Sequence, residues 1–191
     1  MNQSELQKEL NKFRDYVVSQ AKANLTRGKK NDTKGLYNSI KGNVKAMSNS
    51  FSMSFSMDDY GAFVDKGVKG KDPSKVSPNA KITGQQAPNS PYRFGTGSAR
   101  GQWGTFKLQI ERWAKKRNIR FRDKNGKYAS GSYKSLSHVI ASNIYARGLK
   151  PSLFFTKPFN KAYQNLPDQL VEKFGLEAEK LLKFSQLNIK K

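Results

Sequence analysis

Tyr60-Gly-Ala-Phe-Val-Asp-Lys-Gly67 and, some eighty residues later, Gly148-Leu-Lys-Pro-Ser-Leu-Phe-Phe155 are the two stretches on which the reading of this chain turns. Each sets aromatic and apolar residues beside glycines, the composition of packing and turn elements. Neither carries a nucleophile beside a base, a metal-ligand cluster or a phosphate-binding loop. Tyr60, Phe63 and Val64 are therefore expected to pack, with Phe63 and Val64 buried. Gly67 is expected where a side chain is costly, at a positive φ. Gly148 is expected to end a helix, and Phe154 and Phe155 to form an apolar link.

Upstream, residues 4–26 read as one amphipathic helix. Leu6, Leu10, Phe13, Val17, Ala21 and Leu25 recur at steps of three and four and make one stripe. Ser4 with Gln7 fits a capping box, and Gly28 stops the helix. Residues 36–57 read as extended. Within them Phe51-Ser-Met-Ser-Phe-Ser-Met57 alternates strictly, the pattern of a half-buried strand. Asn43 to Met47 pairs with it through a turn at Ser48-Asn49-Ser50. The Tyr60 segment is then a short helix or an irregular wedge closing at Gly67.

Downstream, residues 67–104 are rich in Gly, Pro, Ser and Lys, and so long a structureless stretch is unusual in a compact domain. It reads as a projecting arm, 66–104. Residues 105–117 read as a helix capped by Thr105, with Phe106, Ile110 and Trp113 inward. Asn125-Gly126 marks a small basic hairpin between Ile119 and Tyr128. Residues 135–146 make a third helix with Leu136, Val139, Ile140 and Ile144 on one side. Lys157 to Phe184 is a long helical region, broken near Pro167 and Gly175, and residues 186–191 fray. The fold class is α+β in a single domain over 1–191: an N-terminal helix, a small antiparallel sheet, further helices including a long C-terminal one, and a long projecting loop.

Composition narrows the function. Hydrophobic residues make up 36 %, against roughly 45–50 % in ordinary globular domains. The core should be modest, with loops that order against partners. The aromatic share of 12 % argues against wholesale disorder. Thirty-six Lys and Arg stand against fourteen Asp and Glu, a net +22, and residues 66–135 alone carry +14. A polyanion or an acidic partner uses such a bias. The absence of cysteine excludes thiolate chemistry and disulfides. No apolar run reaches the length of a membrane span and no leader is visible at the start. The expectation is no membrane and assembly in a cytoplasm.

Candidate chemistry is sparse. His138 is a single histidine inside a helix pattern, with no motif marking a paired base or nucleophile. Asp58-Asp59 reads as turn capping, since adjacent side chains point apart. Gly95-Thr-Gly97 lacks the Gly-Lys-Ser/Thr of a phosphate-binding loop. No catalytic residue, metal site or cofactor is expected. The stronger signal is basic: Arg112, Lys115, Lys116, Arg117, Arg120, Arg122, Lys124 and Lys127, interleaved with Trp113, Phe121 and Tyr128. These residues are candidates for phosphate contact without base reading, or for docking on an acidic protein. The aromatics are expected to serve packing.

The order of these elements resembles the tail-completion and head–tail joining proteins of tailed bacteriophages, the neck or minor tail proteins. The likeness runs roughly over residues 4–184. After the N-terminal helix it lies in Gly35-Leu36-Tyr37-Asn38-Ser39-Ile40, and then in Tyr60, Phe63, Val64, Asp65 and Gly67. It continues in a helix with Trp113 and the basic run to Ile119, in Ile140-Ala-Ser-Asn-Ile-Tyr-Ala-Arg-Gly148, and in Phe154-Phe155. The chain departs from that group in its basic 68–104 stretch and its high charge.

The resemblance implies a virion structural protein, not an enzyme. It would be a ring-forming α+β subunit of the neck or tail top, joining the portal or connector to the tail tube around double-stranded DNA. The alternative is a free basic nucleic-acid-binding protein acting in DNA packaging or condensation. A nuclease would need clustered carboxylates or histidines.

Overall fold

The computed structural model describes residues 3–47, 50–78, 80–96, 103–123, 125–166 and 170. Among these it is an α+β fold of six α-helices and short antiparallel strands: α1 Gln3–Arg27, α2 Gly35–Ser39, β1 Lys41–Ala46, β2 Phe51–Ser56, α3 Gly61–Lys66, β3 Val68–Lys69, a 3-10 turn Pro73–Lys75, α4 Trp103–Lys116, α5 Tyr133–Arg147, β4 Gly148–Leu149 and α6 Thr156–Gln164. The chain divides into two compact units where one domain was expected. The first is residues 1–65 with 152–191; the second, 66–151, is inserted between them in chain order. The physical reason is the core: the main cluster of buried apolar side chains belongs wholly to the first unit.

In the first unit, α1 buries Leu6, Leu10, Phe13, Val17, Ala21 and Leu25, the stripe its spacing predicts. It packs on β1 and α6. Strands β1 and β2 pair antiparallel from Lys41 opposite Ser56 to Ala46 opposite Phe51. Met53, Phe55 and Met57 are buried, while Phe51 is half-buried. A two-stranded sheet is marginal alone, and α1 supports its outer edge. The Gln7 amide donates Nε2 to the Val44 carbonyl (3.2 Å) and accepts the Ala46 N–H (2.7 Å). It bonds β1 as a neighbouring strand would, so Gln7 is spent there and not on the expected capping box. The extended reading also fails at its start, where Gly35–Ser39 is helical.

The centre of this unit is aromatic. Phe13 meets Phe159 edge-on at 5.3 Å, and Phe55 meets Phe155 likewise at 5.3 Å. Edge-to-face pairs at such spacing contribute beyond their buried area. Phe154 and Phe155 are buried as expected, each 1 % exposed. The Tyr60–Gly67 element differs. It is helix α3, and its inward face is Gly61 and Asp65, four residues apart; Phe63 is 42 % exposed, Tyr60 is exposed and Val64 only half-buried. The helical period turns Phe63 away from the face that Asp65 occupies.

Asp65 reaches the start of α6. Its carboxylate accepts the backbone N–H groups of Phe155 (2.8 Å) and Thr156 (3.2 Å) and the Thr156 hydroxyl. Phe155, at the N-cap position of α6, supplies no side-chain cap itself. Asp65 thus satisfies orphan donors of a helix far from it in sequence. Beside it, Ser152 and Leu153 donate their N–H groups to the carbonyls of Val64 and Asp65. Helix α6 ends at Gln164, just ahead of Pro167. Leu166 and Leu170 are buried. The remainder of the expected C-terminal helix and the frayed tail lie outside the described residues.

The second unit has a thin core, with Val68, Ala87, Ala114, Leu136, Ala141 and Ala146 as its buried apolar residues among those described. Helix α4 packs on α5. The expected projecting arm is tied down as far as it is described. Its N–H groups at Lys71, Asp72 and Gln86 donate to the carbonyls of Tyr145, Ala146 and Arg147, the orphan acceptors at the end of α5. Gln85 brackets Gly70 from both sides of its peptide, and the Ser90 hydroxyl donates to the Gly67 carbonyl (2.7 Å). β3 pairs with β4 through Val68 opposite Leu149 and Lys69 opposite Gly148.

Two glycines make this closure possible. Gly67 has φ +71°, and a side chain there would strike the Leu149 carbonyl and Pro151. Gly148 has φ +93°, and a Cβ would strike the Val68 carbonyl and the Gly70 nitrogen. Both positions pair the left-handed region with backbone contact, the two conditions that favour glycine.

These contacts set the expected cost of substitutions. Asp65→Ala should cost about 3 kcal/mol, because each buried donor left unsatisfied costs about 1–3 kcal/mol. Phe155→Ala should cost about 3–5 kcal/mol, while Phe63→Ala should cost about 1 kcal/mol or less, as surface changes do. Urea titration checks all three; a Phe63→Ala loss equal to that of Phe155→Ala would contradict the burial described. Gly148→Ala should lower the melting temperature of the second unit sharply, and a Gly148→Ala protein that melts with the wild type would refute the close approach.

Candidate nucleic-acid interface

The sequence of the second unit holds nineteen Lys and Arg against three acids, a net +16 in 86 residues. All three acids are engaged locally. Asp72 caps the 3-10 turn, accepting the Ser74 N–H (3.2 Å) and the Ser74 hydroxyl, with Lys75 at 3.6 Å. The Ser74 hydroxyl hydrogen bond holds the Asp72 carboxyl below its ordinary pKa. Glu111 pairs with Lys115 one helical turn on, at 2.7 Å. Asp123 organises the hairpin turn, its Oδ1 accepting the N–H groups of Asn125 and Lys127, both at 2.9 Å.

The basic cluster lies along the end of α4 and the hairpin after it. Arg112, Lys115, Lys116 and Arg117 are exposed on the last turns of α4 and just past them. Asn118 then takes φ +49°, a left-handed residue after a helix end. Arg120, Arg122 and Lys127 are exposed on the hairpin, which closes through the antiparallel bridge of Arg122 with Tyr128. Gly126, at φ +78°, supplies the turn that Asn125-Gly126 predicts. Lys124 lies outside the described residues. The seven others are therefore brought onto one continuous stretch of α4 and hairpin.

The aromatics depart from expectation. Trp113, expected inward, is 36 % exposed, and Ala114 is the buried residue of its helix. Position 113 falls on the flank of the face that packs on α5, so a large ring there is only partly covered. Tyr128 is 60 % exposed. The Arg122 guanidinium lies 4.6 Å from its ring centre and that of Arg120 lies 5.9 Å away, both within cation–π range.

A second aromatic group joins α4, α5 and the segment before them. Trp103 lies 5.5 Å from Tyr145 and 5.9 Å from Phe106, and Phe94 lies 5.5 Å from Tyr145. Lys107 sits over Trp103 and Lys71 over Tyr145. Sequence reading missed this group because Phe94 and Trp103 stand in the stretch read as an arm. His138 is exposed, its ring edge-on to Trp103 at 6.3 Å. Among the described residues no three His, Asp or Glu side chains group as a cation site. No described helix is long and apolar enough to cross a membrane.

The packing residues fall at other places. Phe154 and Phe155 belong to the core of the first unit; in the second, Gly148 is in β4 and Gly67 stands just before β3. Asp65 was visible in the sequence only as one letter of a motif. Of the two readings of that segment, the short helix is the one that puts it on the face of Gly61. Comparisons with family models, curated proteins and solved structures give no match to this chain.

Replacing Arg112, Lys115, Lys116 and Arg117 together by Gln should weaken binding to unrelated duplex sequences equally. It should also flatten the log–log salt dependence by up to about 0.9 for each phosphate no longer neutralised. Anisotropy titrations at several salt concentrations measure both. Unchanged DNA affinity with failed protein association would instead assign the cluster to an acidic protein neighbour.

Proposed function

We propose that the chain is a virion structural protein, a ring-forming subunit of a bacteriophage neck or tail top. It would join the portal or connector to the tail around the DNA path, with the basic second unit facing either DNA or an acidic ring neighbour. The observation that carries this reading is where the family-like residues fall. Leu36 and Ile40 are buried in the first unit, Asp65 caps the helix that begins after Phe155, and Gly67 and Gly148 permit the close backbone pairing of the second unit. These motif residues have structural roles, while Tyr60, Phe63 and Trp113 of the same motifs are exposed. Charge on a thin-cored unit fits the same role, since a neighbour or DNA that neutralises it stabilises the fold by mass action.

The separation of the apolar core from the charge also favours the second reading, a free basic protein in DNA packaging or condensation. The two readings differ in assembly. Light scattering and electron microscopy of the purified chain, alone and with portal and tail proteins, should show closed cyclic oligomers or incorporation into particles. A chain that stays monomeric, never enters particles and still coats DNA would overturn the neck assignment in favour of the second reading.

A further inference from the structure

The basic hairpin and the start of α5 enclose a cleft of about 350 Å³. Arg120, Phe121, Tyr128, Gly131, Tyr133 and Leu136 line it, and no carboxylate does among the described residues. That volume lies at the small end of the range for ligand clefts, about 300–1,000 Å³. It admits one small planar group, not a duplex.

The walls are held in place. The Asn118 side-chain carbonyl accepts both Arg120 Nε (3.0 Å) and the Tyr133 hydroxyl (3.2 Å). One left-handed residue thus fixes the cation and one of the rings. The Ala129 N–H donates to the Phe121 carbonyl (3.0 Å), which sets the hairpin base. A side chain at Gly131 would collide with the Phe121 ring, so bare backbone lets that ring lie along the wall. Tyr128 is steadied by the two guanidinium groups near its ring while remaining mostly exposed. Preorganised walls of this kind lower the cost of binding.

The chemistry of the lining selects the ligand. Three aromatic rings call for a flat partner with a π face, and Arg120 calls for an anion beside it. A nucleotide joins the two in one group. Inside a duplex both faces of every base are stacked, so only an unpaired nucleotide presents its base to the rings. We propose that this cleft takes one unpaired nucleotide of a DNA strand. Its base lies against Tyr128, Phe121 and Tyr133, and its phosphate meets Arg120. The inference rests on the DNA contact in the reading above and extends it from phosphate attraction to recognition of an unpaired base.

The test uses the full chain and anisotropy with two labelled probes, a blunt duplex and the same duplex bearing a short single-stranded overhang. The overhang should bind about tenfold tighter, the scale of one base stacking on an aromatic ring. Tyr128→Ala should bring the ratio of the two affinities close to one, and Tyr128→Phe should keep it. Tyr128 is exposed, so both variants should fold, and a thermal melt confirms it. The fourfold Gln variant at Arg112, Lys115, Lys116 and Arg117 should weaken both probes while keeping their ratio.

Equal wild-type affinity for the two probes overturns the nucleotide site and leaves the duplex contact standing. Failure to bind either probe overturns both. An overhang preference that survives Tyr128→Ala and Tyr133→Ala together also overturns the site. Loss of the preference to free deoxynucleotide monophosphate, at the concentration where the overhang strand competes, would assign the cleft to a soluble nucleotide and overturn the strand proposal. Displacement of the overhang probe by a tyrosine-bearing acidic peptide at concentrations well below those at which unlabelled overhang displaces it would overturn it in favour of a protein partner.

Discussion

The carboxylate of Asp65 closes the first unit. By local rules it is misplaced, since an acid in the last turn of a helix faces the negative end of that helix's dipole. Its compensation comes from elsewhere in the sequence. The first turn of α6 offers the N–H groups of Phe155 and Thr156 and the Thr156 hydroxyl, and the helix presents its positive end there. Charge-assisted bonds of this kind are about twice as strong as neutral ones. A buried carboxylate without them would be severely destabilising. The arrangement therefore tolerates little variation in how 61–66 meets 152–156. The added N–H donations from Ser152 and Leu153 to Val64 and Asp65 hold the same two segments together. Because the second unit is inserted in the chain between Asp65 and Ser152, this contact also brings together the points where the chain leaves the first unit and returns to it.

The two units reach stability by different means. The first buries a long helical stripe, a strand face and a set of interlocking phenylalanines. The second buries mostly alanines among its described residues and carries +16. It compensates with backbone hydrogen bonds. The carbonyls that end α5 are a fixed set of acceptors, and the Gly/Pro-rich segment 67–96 supplies donors to them. Such bonds need close backbone approach, which is why Gly67 and Gly148 sit at that closure. Each bond contributes only about 0.5–1.5 kcal/mol net. The unit is thus held by many small terms against its own charge repulsion.

What was legible in the sequence was local. The α1 stripe, the Phe51–Met57 alternation and the Asn125-Gly126 turn are set by period and turn chemistry within a few residues, and each stands in the structure. Gly67 was legible as a positive φ for the same reason. Misreadings arose where a distant partner decides. Aromatic Phe63 reads as core, but Asp65 has the better claim to the inner face because α6 rewards it. Gln7 reads as a cap, but β1 has no strand on the edge away from β2 and takes its amide there. The segment after Gly67 reads as an arm because nothing in its composition reveals that the end of α5 needs donors. In the candidate site, the positions of the cations were legible as a run of Lys and Arg. The exposure of Trp113 was not, since helix period alone assigns it to an interior that the thin second unit does not have, and that of Tyr128 was hidden by the general expectation that the aromatics pack.

That thin interior is what ties the fold to the proposed role. A large apolar side chain left in solvent is a small defect in a well-packed domain, and this unit has several. Trp113, Tyr128, Ile82, Leu108, Val139 and Leu149 are all at least one-third exposed. Under the proposed role, a partner would cover these apolar groups and neutralise the cations of the unit. An acidic partner answers both features at once, because it neutralises the charge and covers the rings. DNA answers them differently. Phosphates meet the Lys and Arg side chains, but only an unpaired base can meet the rings, since a duplex keeps its bases stacked inside. The part of the surface where rings and cations converge in a cleft, around Arg120, Tyr128 and Tyr133, is therefore where nucleic acid and protein partners make the most different demands. The open end of α4, with its cations and few rings, serves either partner by charge alone.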